Sequence, residues 1–241
     1  MLPRIFAAVA LASGLAVPVA SALTIGQIDT FQSDNGGWFA GGGPFGQVPP
    51  VPPQRIATGG PTGANDAFLQ VTASGGAGPG SRLVAMNASQ WAGDYLAGGF
   101  ATIEMDLINF GPSDLSIRLL FEDPGAGAPE NIAITNSVAS LTAGGGWAHF
   151  VFQIDVAAFT PLLGDVSDLL AGTTLIRIVH AATAAFPGEP ITGTLGIDNI
   201  SAGFVPRPGP FPNAVPEPAS TGLVLVALAL FAVVRRRRMR S

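Results

Sequence analysis

The chain has no cysteine, which excludes a disulfide framework, a cysteine-ligated metal and a cysteine nucleophile. It also has no lysine, and charged residues make up only 11% of its 241 residues. Residues 23–218 hold five arginines but all sixteen acidic residues, which gives this part a net charge of −11. Such a surface repels phosphates, so we expect no binding to nucleic acid.

Long hydrophobic runs are missing between the two ends, where short apolar runs are separated by turns rich in glycine and proline. Several runs have a period of two, as in "IEMDLINF", where Ile103, Met105 and Leu107 would share one face and Glu104 and Asp106 the other. This pattern predicts an all-β fold, an antiparallel β-sandwich of the jelly-roll type, with one short helix at 166–172. The predicted strands are 23–32, 67–74, 82–87, 100–110, 115–123, 131–141, 147–156, 174–182 and 192–204.

The first 22 residues have the features of a signal peptide. One basic residue, Arg4, precedes an apolar stretch that ends in small residues at Ala20 and Ala22. Small side chains at these positions fit signal peptidase, so we expect cleavage after Ala22. The chain would therefore be exported through the Sec translocon.

The other end combines an uncharged segment, residues 219–234, with an arginine cluster. The segment is shorter than the roughly 20 residues of a usual spanning helix, but long arginine side chains can reach back to the interface. We predict a transmembrane helix at 219–234 and a cytoplasmic tail at 235–241, because basic residues stay on the cytoplasmic side. The membrane stop signal is Arg235, Arg236, Arg237 and Arg238.

A Pro-Glu-Pro motif, made of Pro216, Glu217 and Pro218, ends a Pro-rich linker at 206–218 directly before this helix. The order of motif, apolar helix and arginine cluster resembles the PEP-CTERM sorting signal of Gram-negative bacteria. That resemblance implies an exosortase that recognises the motif and processes the chain there. An inner-membrane precursor would then become a protein of the cell surface or the extracellular polysaccharide. The alternative is a protein that stays anchored by its tail.

Two short stretches in the predicted domain, residues 23–205, resemble the β-sandwich of carbohydrate-binding modules. They are "IDTFQSDNGGW" near the first strand and "LGIDNI" in the last. The resemblance implies that the first and last strands pair, and that an acid near each binds a structural calcium ion. Carried over to this chain, those acids are Asp29 and Asp198.

A glycan ligand would need exposed aromatic side chains. The candidates are Trp38, in a Gly- and Pro-rich loop predicted at 36–61, and Trp91, whereas Trp147 opens an alternating strand and is predicted to lie in the core. The loop itself is either a binding surface or a simple crossover.

No catalytic residue is assigned. His149 and His180 lie within strand patterns, and the chain has no G-x-S-x-G or H-E-x-x-H motif. Glu104 with Asp106, and Glu122 with Asp123, have the pattern of surface acids. We therefore expect a non-enzymatic protein. A secreted hydrolase is the alternative, and it would need two facing carboxylates or a serine beside His180.

Overall fold

The structure is a computed structural model that describes residues 23–24, 26–40, 53–76, 81–124 and 128–204. The predicted signal peptide, Pro-rich linker, sorting motif, membrane helix and arginine tail lie outside these residues. Where the chain is described, no helix has the length and apolar character needed to cross a membrane.

The described residues form twelve strands and one α-helix. In chain order these are β1 (Ile28–Asp29), β2 (Gln54–Ile56), β3 (Phe68–Ser74), β4 (Val84–Asn87), β5 (Phe100–Asn109), β6 (Leu115–Pro124), β7 (Pro129–Thr135), β8 (Ala139–Leu141), β9 (Ala148–Gln153), β10 (Phe159–Leu163), α1 (Val166–Ala171), β11 (Leu175–His180) and β12 (Thr192–Phe204).

The strands make two antiparallel sheets. The first sheet has the order β2-β3-β12-β5-β9, and β1 also pairs with β12. The second has the order β10-β7-β6-β11-β4, and β8 also pairs with β6. The predicted antiparallel β-sandwich is confirmed, and so is the pairing of the first and last strands.

The core lies between the two sheets and follows the alternation of the sequence. Ile103, Met105 and Leu107 on β5 are each 0% exposed and pack in one cluster with Leu119 and Phe121 of β6. Burying a side chain of this size contributes about 1.5–3 kcal/mol. Since successive side chains alternate across a strand, the acidic residues of β5 lie on the outer face of the first sheet.

The predicted helix is confirmed. Asp165 caps α1 by accepting from the backbone N–H groups of Ser167 and Asp168. Its buried residues, Val166, Leu169 and Leu170, have helical spacing.

The structure corrects four strand assignments. Of the predicted strand at 23–32, only β1, Ile28–Asp29, is a strand among the described residues. The predicted strand at 131–141 is two strands, β7 and β8, whereas β2 and β10 were not predicted. β10 contains Pro161, which has no N–H, and it lies at a sheet edge where that loss is tolerated. The described parts of the predicted 36–61 loop are not wholly irregular, since Phe39 forms an isolated bridge with Met86 and β2 pairs with β3.

Candidate functional site

Asp29, on the first strand, accepts hydrogen bonds from two tryptophans. Its Oδ2 receives the indole N–H of Trp38 at 2.7 Å and that of Trp91 at 2.8 Å. Gln90 Nε2 adds a third donor at 3.3 Å. Asp29 lies opposite the buried Ile200, so its carboxylate points to the inner side of the first sheet.

The structure corrects the expectation that Trp38 and Trp91 contact a ligand, because both indoles belong to the core. Trp38 is 1% exposed and Trp91 is 0% exposed. Their ring centroids are 6.4 Å apart, and the Tyr95 hydroxyl donates to the Trp91 carbonyl at 2.7 Å. Neither ring has a free face on which a sugar could stack.

The expected calcium pair, Asp29 and Asp198, is divided between the two faces of the first sheet. Asp198 lies directly opposite the outward-facing Asp106 on β5. A register shift follows it, and Asn199 has a positive φ of 51°, so that Ile200 returns to the core. Two carboxylates on opposite faces cannot ligate one ion. Among the described residues, no group of three or more histidine or acidic side chains is placed to hold a metal. The side chains present therefore do not fit the expected calcium site.

The carboxyl group of Asp198 is buried without a full set of partners. The residue is 0% exposed, and within the described part of the chain its Oδ1 accepts one hydrogen bond, from the Asn199 backbone N–H at 2.8 Å. Its Oδ2 has no hydrogen-bond partner among the described residues. Burial raises the pKa of Asp198 to about 7, and the negative charges of Asp66 and Asp106 act in the same direction.

Trp147 lies on the outer face of the first sheet, contrary to the prediction that it belongs to the core. His149 is opposite Asp106, and Trp147, two residues earlier, shares its face. The Trp147 ring is half-buried and packs edge-on against Phe68 and Phe110, with centroids 5.3 and 6.4 Å away. Phe110 is 47% exposed. The outer face therefore presents an aromatic surface to solvent.

Gly196 on β12 makes room for this aromatic surface. A Cβ atom there would lie 2.6 Å from Ile108 Cγ2, 2.9 Å from Phe110 Cε2 and 3.1 Å from Trp147 Cη2. Trp147 is held in place by its indole N–H, which donates to the Gly59 carbonyl at 3.0 Å. The rings thus lie close to the sheet, above a residue with no side chain.

A row of polar groups runs beside the aromatic rings. His149 places Nδ1 2.9 Å from Asp106 Oδ1 and Nε2 3.4 Å from Glu104 Oε2. Asp106 also accepts from Asn199 Nδ2 at 2.8 Å. The His149 side chain is 53% exposed, that of Glu104 34% and that of Asp106 19%. We call this surface the aromatic–acidic face: Glu104, Asp106, Phe110, Trp147, His149 and Gly196.

The other candidate catalytic groups have structural roles. His180 Nδ1 accepts from the backbone N–H of Ser116 at 3.1 Å, and burial lowers the pKa of this histidine. Glu122 is buried in an ion pair with Arg177. Asp123 accepts from the side chain and backbone of Asn131, across the β6–β7 pair.

The alternation of residues along the strand that begins near Trp147 could have shown from the sequence that Trp147 faces outward. In "WAHFVFQ", Trp147 alternates in phase with His149, Val151 and Gln153, not with Phe150 and Phe152. That phase marks the outward face. Nothing in the local sequence shows that Phe110 and Trp147 meet above Gly196, because these residues are far apart in the chain: Phe110 follows β5, Trp147 precedes β9, and Gly196 lies in β12.

Comparison with known families identifies a PEP-CTERM protein-sorting motif at residues 214–238. The resemblance predicted for this end of the chain is confirmed. No curated protein matches the chain in sequence.

Several solved structures share the architecture of the described domain. The family 11 carbohydrate-binding module from Clostridium thermocellum, solved with a β-1,3-1,4-mixed-linked tetrasaccharide, is 11% identical and has a TM-score of 0.47. That comparison covers 76% of this chain and 98% of the module. The CBM22-1 xylan-binding domain from Paenibacillus barcinonensis is 14% identical, with a TM-score of 0.43, and the match covers 76% and 99% of the two chains. An exo-β-agarase matches over 65% of this chain but only 23% of its own. The carbohydrate-binding modules among these neighbours are β-sandwiches, as this domain is.

Proposed function

We propose that this chain is an exported, exosortase-processed protein whose β-sandwich binds an extracellular polysaccharide through the aromatic–acidic face, without catalysing a reaction. The observation that carries the binding role is the partly exposed pair Phe110 and Trp147 above Gly196, with polar side chains in the adjacent row.

The sorting motif supports the route. A Gram-negative cell would export the chain through the Sec translocon, and signal peptidase would cleave after Ala22. Residues 219–234 would hold the precursor in the inner membrane until exosortase acts at Pro216, Glu217 and Pro218. The folded domain, residues 23–205, would then reach the cell surface or the extracellular polysaccharide.

The chemistry of the face supports binding to a sugar. The C–H face of a pyranose ring is apolar and packs against aromatic rings, whereas its hydroxyl groups need hydrogen-bond partners. Phe110 and Trp147 supply the first kind of contact, and Glu104, Asp106 and His149 supply the second. The face follows the outer side of β5 from Glu104 to Phe110, which lies directly after its end, over a length of roughly 20 Å at the usual rise per residue, so an extended polymer could lie along it.

The carboxylates of the face support binding rather than hydrolysis. Glycosidases place two carboxyl groups on either side of the scissile bond. Here Glu104 and Asp106 project from the same side of one strand, and both contact His149. Glu122 is committed to Arg177 in the second sheet.

The test is retention in affinity gels that contain neutral polysaccharides. These include mixed-linked β-glucan, whose linkages are those of the tetrasaccharide named for one neighbour, and xylan, which is named for another. Trp147→Ala and Phe110→Ala should each weaken retention at least tenfold. Leu163→Ala is the matched control, because Leu163 is 49% exposed but lies on β10 of the second sheet. Equal retention of all three variants and the wild type would show that polysaccharide does not bind through the aromatic–acidic face, and it would contradict the proposed role of that face.

A further inference from the structure

The charged groups on the aromatic–acidic face are mostly of one sign. Glu104 and Asp106 are partly exposed carboxylates, and His149 is the only basic side chain among the described residues of the face. Asp198, directly opposite Asp106 on β12, and Asp66, just before β3, are buried acids, and the negative charges of Asp66 and Asp106 act on Asp198.

The described arginines lie away from this face or are engaged elsewhere. Arg55 on β2 donates to the backbone carbonyls of Phe31 and Gln32. Arg82 donates to the backbone carbonyl of Gly188, and Arg118 and Arg177 belong to strands of the second sheet. The chain contains no lysine. Among the described residues of this face, His149 is therefore the one group that could carry a positive charge, and both of its ring nitrogens already face the carboxylates of Asp106 and Glu104.

We propose that the aromatic–acidic face selects glycans that carry no carboxylate, sulfate or phosphate groups. This inference rests on the proposed polysaccharide-binding role and adds the chemical class of the ligand. A hydroxyl group can donate a hydrogen bond to Glu104 or Asp106, whereas an anionic group in the same place can only repel them. An acidic polymer repeats that repulsion at each charged sugar.

Salt should reveal the electrostatic origin of the selection. The Debye length is about 30 Å at 0.01 M ionic strength and about 8 Å at 0.15 M. Discrimination that arises from charge repulsion should therefore weaken as salt is added. Discrimination that arises from shape should not change.

The experiment uses mixed-linked β-glucan or another retained neutral polysaccharide whose sugars carry primary alcohols, which the xylose units of xylan do not, and compares it with the same polymer after oxidation of those alcohols to carboxylates. Binding is measured by calorimetry in 10 mM and 150 mM NaCl. We expect the oxidised polymer to bind at least tenfold more weakly at low salt, and the ratio to shrink at high salt. Equal or tighter binding of the oxidised polymer at low salt, or a ratio that salt does not change, would overturn the inference.

The variant Glu104→Gln/Asp106→Asn tests the residues directly. It removes two charges at nearly constant shape, so the ratio between neutral and oxidised polymer should fall at least threefold, and an unchanged ratio would contradict the assignment. Circular dichroism would establish that the variant is folded, and the single variant Glu104→Gln should shift the ratio in the same direction. If no polymer binds, or if Trp147→Ala weakens none of them, the proposed function fails and this inference fails with it. If binding depends on Trp147 but the oxidised polymer binds equally well, only the inference on ligand class fails.

Discussion

Trp38 donates its indole N–H to Oδ2 of Asp29 at 2.7 Å. Trp38 was expected to stack on a sugar, and Asp29 was expected to ligate calcium. In the structure they are hydrogen-bonded to each other inside the β-sandwich. Trp91 donates its indole N–H to the same oxygen at 2.8 Å. The Asp29 carboxylate therefore links the first strand, β1, to two buried indole rings.

Removing this acceptor should destabilise the fold. Asp29→Ala leaves two indole N–H groups without their partner where water cannot replace it, and we expect a loss of about 2–4 kcal/mol in the free energy of unfolding. Asp29→Asn retains one carbonyl oxygen and should lose less. Urea unfolding followed by tryptophan fluorescence measures both. Glu130→Gln, at an exposed position on β7, is the control. A midpoint for Asp29→Ala equal to that of the control would contradict this role.

Asp198 should make stability depend on pH. Its pKa is raised from 3.8 to about 7, so between these values the folded state holds a proton that the unfolded state has released. The free energy of unfolding contributed by this group therefore falls as pH rises from 5 to 8. Burial lowers the pKa of His180, whose contribution falls instead on acidification. The effect of Asp198 is therefore measured as the difference in melting temperature between Asp198→Asn and wild type at each pH, because both proteins contain His180.

We expect Asp198→Asn to have a higher melting temperature than wild type at pH 8, and this advantage to shrink or reverse at pH 5. Thermal denaturation followed by circular dichroism at both pH values is sufficient. If the difference in melting temperature did not vary with pH, the pKa of Asp198 would be the same in the folded and unfolded states, and the prediction would be wrong.

Gly196 should not tolerate a side chain. In Gly196→Ala the new methyl group would displace Phe110 and Trp147, and overpacking of this kind costs about 1–3 kcal/mol. Glycan retention should fall as well, because the rings shift. Gly146→Ala is the matched control, since a Cβ there meets nothing within 4 Å. If both variants melt and bind alike, the rings are not packed above Gly196 as described.

The buried ion pair of the second sheet should be costly to break from one side. Arg177→Leu leaves Glu122, which is 3% exposed, without its cation, and we expect a loss of about 3–5 kcal/mol. Arg177→Leu/Glu122→Leu should recover part of this loss, because no charge then stays buried. Chemical denaturation of both variants measures the difference. A double variant that is less stable than Arg177→Leu would refute this reasoning.

Most of the correct predictions about the fold rested on the alternation of apolar and polar residues along the strands. The alternation in "IEMDLINF" placed Ile103 and Met105 in the core and Glu104 and Asp106 outside, as observed. The helix at 166–172 was predictable because Val166, Leu169 and Leu170 have helical spacing.

The errors have a different physical origin. β2 and β10 are short edge strands whose pairing depends on neighbours distant in sequence. Asp29 and Asp198 were grouped because both lie near terminal strands, but the register shift beside Asn199 and the β1–β12 register put them on opposite faces. Trp38 and Trp91 lie in turn-rich sequence, and only the folded chain brings both to one carboxylate.

The central claim is that the chain is exported and processed at its Pro-Glu-Pro motif, and intact mass spectrometry of the protein from its native cells tests it most directly. The account predicts that the wild-type protein begins at Leu23 and ends between Val215 and Pro218, whereas Glu217→Ala retains its C-terminal segment. A wild-type mass that still includes Arg235–Arg240 would contradict processing and would indicate a protein permanently anchored by its tail.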